Sequence, residues 1–107
     1  EALRQTGHID QAIYTYENLY QQHQFDADFV FNLASLYAEN EDFTKAAEFY
    51  KRTVEIDPFF GEAYFYLGVV YDRQNKLQEA VDNYQKAVLV FTNSSLPYLF
   101  LSSLYQT

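Results

Sequence analysis

The chain contains no cysteine, which excludes disulfides and thiolate metal sites and leaves the redox compartment open. Glycine and proline are scarce, at three and two residues, too little turn material for a β fold. Basic residues are also few. Seven Lys and Arg stand against fifteen Asp and Glu, for a net charge of −8. A phosphate backbone needs a basic surface, so nucleic acid is excluded as a partner, and an anionic membrane surface is disfavoured. No apolar run approaches the roughly 20 residues that cross a bilayer, so direct membrane insertion is excluded too. No leader sequence is visible, and the chain opens inside what reads as a helix, as in a segment of a longer chain. What is present is apolar: 49% hydrophobic and 20% aromatic, too much for a disordered segment. The 107 residues suffice for one small domain.

A fixed period organises that apolar content. Residues 61–94 read Tyr64-x-x-Leu67-Gly68-x-x-Tyr71, then Ala80-x-x-x-Tyr84, then Ala87. Moving back 34 residues places Tyr71 on Tyr37, Leu67 on Leu33, Ala80 on Ala46 and Tyr84 on Tyr50. Moving forward places Tyr64, Leu67 and Tyr71 on Tyr98, Leu101 and Tyr105. A period of this length is the signature of stacked repeats. The units are a partial one over 1–26, complete ones over 27–60 and 61–94, and a partial or capping helix over 95–107.

Within them the apolar spacing is helical. Residues 1–6 read as a helix end, Thr6-Gly7-His8 as a turn with Gly7 stopping the helix, and Ile9–Gln22 as a helix. Asp26 is the expected N-cap of Ala27–Glu39, whose Val30, Leu33, Ala34 and Tyr37 share one face. Asn40-Glu41-Asp42 is a turn, with Asp42 capping Phe43–Ile56. Asp57-Pro58 ends that helix, because a proline ring disfavours helical geometry in the residue before it. Gly61–Gln74 and Leu77–Phe91 follow, the second with Leu77, Val81, Tyr84 and Val88 turned inward. Thr92–Ser95 is expected to be a turn, with Pro97 in the first turn of a last helix. Connections this short force antiparallel neighbours.

These residues resemble the tetratricopeptide repeat family over the full length. The period, Tyr64-x-x-Leu67-Gly68-x-x-Tyr71, the Ala46/Tyr50 and Ala80/Tyr84 pairs and Asp57-Pro58 carry the resemblance. Departures are Val30 for a bulky aromatic, Ala34 and Ser102 for the glycine, Gln24 and Thr92 for the proline, and Leu19 and Thr53 for an alanine. The resemblance implies an all-α fold, an α-solenoid of antiparallel helix pairs whose first helices line a concave groove. Such grooves take an extended peptide or a helix of another protein.

Helical phase then assigns the groove. On the flank opposite the helix partner lie Asp28, Phe31, Asn32, Ser35 and Glu39, then Glu62, Phe65, Tyr66, Val69 and Arg73, then Leu99, Phe100 and Ser103. Phe31, Phe65, Tyr66, Leu99 and Phe100 make an apolar stripe, the usual mark of an interaction site. Phe31 and Phe65 are open between groove surface and burial against neighbouring first helices, while Tyr66 and Phe100 are assigned to the groove. One subgroup of the family clamps a C-terminal carboxylate with Asn and basic residues. Asn32 fits that clamp, but Glu62 and Tyr66 stand where the cations would be, so this ligand is not expected.

Catalytic, metal and cofactor sites are not expected. His8 and His23 have no carboxylate at ligand spacing, and Glu39, Glu41 and Asp42 lack a calcium-loop glycine. There is no nucleophile elbow or phosphate loop. Glu48, Lys51, Arg52 and Glu55 read as a charged outer face. The expected function is a non-enzymatic scaffold for a protein or peptide, an apolar or aromatic segment with neutral or basic flanks. The alternatives are self-assembly into a homo-oligomer through terminal helices, or a targeting arm of a larger protein.

Overall fold

The computed structural model describes residues 2–94, with side chains described over residues 8–91. It is helical throughout: α1 (Ala2–His23), α2 (Ala27–Glu39), α3 (Phe43–Ile56), α4 (Gly61–Arg73) and α5 (Leu77–Ser94). Consecutive helices pack on one another, α1 on α2, α2 on α3, α3 on α4 and α4 on α5. None of these helices is long and apolar enough to cross a membrane. The last expected helix, with Pro97, Tyr98, Leu101, Ser102 and Tyr105, lies outside the described residues.

Capping sets the boundaries of α2 and α3 where the sequence places them. The Asp26 carboxylate accepts from the backbone N–H groups of Asp28 and Phe29, and Asp42 accepts from that of Lys45. Both satisfy donors that a first helical turn leaves unpaired. Asp57 takes an extended backbone before Pro58, and its carboxylate accepts from the N–H of Phe59. The turns after α2 and α4 close alike. The N–H of Asp42 donates to the Tyr37 carbonyl and that of Lys76 to the Tyr71 carbonyl. Glu41 (φ 63°) and Asn75 (φ 62°) supply the left-handed residue in each.

The core is a seam of large rings and small residues. Val30, Leu33, Ala34, Tyr37, Ala46, Tyr50, Leu67, Tyr71, Ala80 and Ala87 are buried, as the pattern requires, and Val70 is buried with them. Tyr37 stacks on Phe49 at 5.4 Å, and its hydroxyl donates to the Glu17 carboxylate on α1. Thr53, fully buried, satisfies its hydroxyl on the Phe49 carbonyl at 2.9 Å.

Three expectations are corrected. The turn at Thr6-Gly7-His8 is absent, and α1 runs unbroken through Gly7. An interior glycine costs a helix about 1 kcal/mol, too little to end it without a left-handed cap, and none is present. Leu77 and Val81 do not face inward; they are 62% and 48% exposed. Ala80, Asn83 and Ala87 are buried on α5 instead, because small residues let it come close to α4 at Gly68. Finally, α5 runs through Thr92 and Asn93 to Ser94, past the expected end at Phe91.

Candidate partner-binding groove

The groove is built on α2 and α4, with α3 between them supplying its floor. Period-3.6 spacing puts Phe31 and Ser35 on one flank of α2, and Phe65, Tyr66, Val69 and Arg73 on one flank of α4. The structure links most of these through a residue read from sequence purely as seam, Tyr50 of α3. The Phe31 ring lies 5.5 Å from Tyr50, 5.9 Å from Tyr66 and 4.8 Å from Phe60. Tyr50 and Tyr66 are nearly parallel, with centroids 6.1 Å apart and planes at 17°. Phe65 meets Tyr66 edge-on at 5.2 Å and reaches Tyr84 at 5.7 Å.

Exposure separates the rings. Phe31 is half-buried against the core, whereas Phe65 and Tyr66 are 43% and 42% exposed. Ser35 Oγ is 2.8 Å from Tyr50 Oη in a hydrogen bond, so it fixes the floor. Burial pushes the Tyr50 phenol above its ordinary value of 10.0; the Ser35 bond opposes this, and Tyr66 and Glu39 add to it. Tyr50 therefore stays neutral at physiological pH.

Val69 and Arg73 sit one and two turns further along α4. With Tyr50, Tyr66, Phe43 and Glu39 they line a cavity of about 280 Å³ between α2, α3 and α4. The Arg73 guanidinium lies 5.8 Å from the Phe43 ring centroid. Asp28, Asn32 and Glu62 are exposed on the same two helices. Leu99, Phe100 and Ser103 lie outside the described residues. Sequence reasoning missed Tyr50, Phe60 and Phe43. The signal for Phe60 was its place beside Gly61, in a Phe59-Phe60 pair opening a helix.

A second cleft of about 520 Å³ lies along the exposed flank of α3, between Tyr20 and Tyr71. Its charges are mixed. Arg52 approaches Glu55 at 3.6 Å, donates to the Gln24 carbonyl at 3.3 Å and lies 5.2 Å from the Phe25 ring. Among the described residues, no three His, Asp or Glu side chains are placed to share a cation.

Comparison with known proteins shows what the chain and its fold resemble. Tetratricopeptide repeat profiles match residues 1–59 and 61–91. The general transcriptional corepressor trfA of Dictyostelium discoideum is 34% identical over 94 residues, 88% of this chain and 7% of that protein. The general transcriptional corepressor ssn6 of Schizosaccharomyces pombe is 28% identical over 91 residues, 85% of this chain and 8% of its own length. The chain thus spans a small fraction of both relatives. Among solved structures, a crystal structure of MamA superposes with a TM-score of 0.78 at 26% identity, covering 81% of this chain and 51% of that one. The MamA MSR-1 C2 structure superposes with a TM-score of 0.79 at 18% identity, covering 85% and 52%, a likeness of fold alone.

Proposed function

The chain belongs to the tetratricopeptide repeat family, and from that premise we propose that it is a non-enzymatic module holding a partner segment along α2 and α4. Repeats of this family generally mediate protein–protein interaction. One observation carries the assignment to this flank: Phe65 and Tyr66 stay over two-fifths exposed while joined to a continuous ring network through Phe31, Tyr50 and Phe60. Pre-ordered aromatic surface favours binding, because rings bury a large area at low cost in side-chain entropy. The exposed carboxylates Asp28, Glu39 and Glu62 favour neutral or basic flanks on the bound segment.

The likeness to trfA and ssn6 supports a narrower form. In it the module is an arm of a larger corepressor-type protein, and the groove recruits another component of that assembly. Self-association is the second reading, favoured by the exposed Leu77 and Val81 on α5. Sedimentation over a wide concentration range decides it, since a strict monomer at the highest concentration removes it.

The groove itself is tested by panning the immobilised chain against short random linear peptides. Selected peptides are expected to bind wild type and to lose binding to Tyr66→Ala, with helicity retained. Peptides indifferent to Tyr66→Ala would move the site elsewhere.

A further inference from the structure

The cavity of about 280 Å³ at the inner end of the groove has a chemistry distinct from the rest of it. Three rings line it, Tyr50 and Tyr66 nearly parallel and Phe43 at the start of α3, beside Ala38, Val69 and Val70. Glu39 and Glu41 also line it. Both residues are exposed, and neither is ion-paired with a described residue. The volume is close to the lower limit of small-ligand pockets, about 300 Å³, and suits one long side chain.

We infer that this cavity seats one arginine or lysine side chain of the bound partner segment, an inference that rests on the protein-binding reading of the groove. Three observations converge. Ring faces carry the negative part of the aromatic quadrupole and attract a cation placed over them. Two carboxylates against the single guanidinium of Arg73 leave the lining net negative. The Phe43 wall already accepts a guanidinium, that of Arg73 at 5.8 Å from the ring centroid. A partner cation would use the half-exposed ring of Tyr66, with the buried Tyr50 ring behind it, and would hydrogen-bond to Glu39 and Glu41. An apolar side chain would leave both carboxylates partly desolvated without a partner. An acidic one would be repelled.

The test uses the peptides selected on the wild-type chain. Their sequences are expected to carry arginine or lysine beside apolar residues. Binding is expected to fall about five- to tenfold in Glu39→Gln/Glu41→Gln and to weaken as salt is raised. Arg73→Gln removes the resident cation and is expected to tighten binding about threefold, a gain that damage to the fold would not give. Selected peptides that lack basic residues and ignore both glutamine substitutions, yet are lost with Tyr66→Ala, overturn the cavity inference and leave the groove standing. Peptides that ignore Tyr66→Ala, or a failure to select any, overturn the groove and this inference with it. Should the double variant unfold, the Arg73→Gln measurement decides, and no gain there overturns the inference.

Discussion

Gly68 and Tyr84 are in contact so close that a Cβ on residue 68 would stand 2.8 Å from both Cδ1 and Cε1 of the tyrosine ring. It would also stand 3.2 Å from the Ala80 carbonyl oxygen, which is backbone and cannot turn aside. The ring is itself held, with Phe65 at 5.7 Å. In an open helix, Gly→Ala gains about 1 kcal/mol. Here overpacking costs more, typically about 1–3 kcal/mol, and the sign reverses. Gly68→Ala is therefore expected to lower stability by about 1 kcal/mol net, or roughly 4–8 °C in Tm. A thermal melt that rises instead would show α4 and α5 to be less tightly apposed.

Alkaline pH is expected to loosen the fold. Tyr37 is pushed up from its ordinary value of 10.0 by burial first, then by its hydrogen bond to Glu17 and by the fields of Glu17, Asp42 and Glu48. Tyr50 is raised mainly by burial, as is Tyr84, where Asp72 adds to the effect. Each phenol thus keeps its proton in the folded chain at a pH where the unfolded chain has lost it. The native state binds more protons there, so stability is complete below about pH 10 and falls as pH rises through the folded-state values. Urea midpoints should stay level up to about pH 9.5 and fall beyond it, with Tyr37→Phe softening the decline. Tyr37→Phe and wild type falling in parallel would remove Tyr37 as a source.

The contrast between core and groove is measurable as two substitutions. Leu33 is fully buried, and Leu33→Ala leaves a cavity where α2 meets its neighbours. A loss of about 2–5 kcal/mol is expected, a large part of the stability of a chain this size. Tyr66 is 42% exposed, so Tyr66→Ala removes ring contacts from a half-open surface and is expected to cost about 1 kcal/mol. Thermal melts of the two variants should differ by about 5 °C or more. A Tyr66→Ala variant that melts as low as Leu33→Ala would place that ring in the core.

How much of this was legible in sequence depended on whether the signal was local. Asp26 and Asp42 end a turn and begin a helix by one carboxylate's reach to nearby N–H groups, and both caps stand where expected. Tyr37 and Tyr71 are buried because a 34-residue period fixes them in the seam. Gly7 misled because glycine permits a helix stop without compelling one. Leu77 and Val81 misled because apolar size was weighed above close approach; α5 turns its small residues Ala80 and Ala87 to α4, where Gly68 meets Tyr84. The tie between Ser35 and Tyr50 and the stacking of Tyr50 with Tyr66 join residues far apart in the chain. No local pattern announces such contacts, and so the flank was readable while its floor was not.

Glu41 and Asn75 pose one backbone problem with two answers. Both take the left-handed conformation, at φ 63° and 62°. In both turns the left-handed residue's N–H donates three residues back, Glu41 to the Ala38 carbonyl and Asn75 to that of Asp72, each at 3.0 Å. Asparagine tolerates this region, whereas a longer side chain is strained there by about 1–2 kcal/mol. Glu41→Asn is therefore expected to stabilise the fold by about 0.5–1 kcal/mol, and Asn75→Glu to destabilise it by a similar amount. If the Glu41 carboxylate serves the cavity beside Tyr50 and Tyr66, the stabilised variant should also bind basic peptides several-fold more weakly. Urea midpoints and peptide titrations on the same samples separate the two effects. A gain in stability with unchanged affinity would leave the carboxylate without a role in binding and the strain at residue 41 without a functional reason.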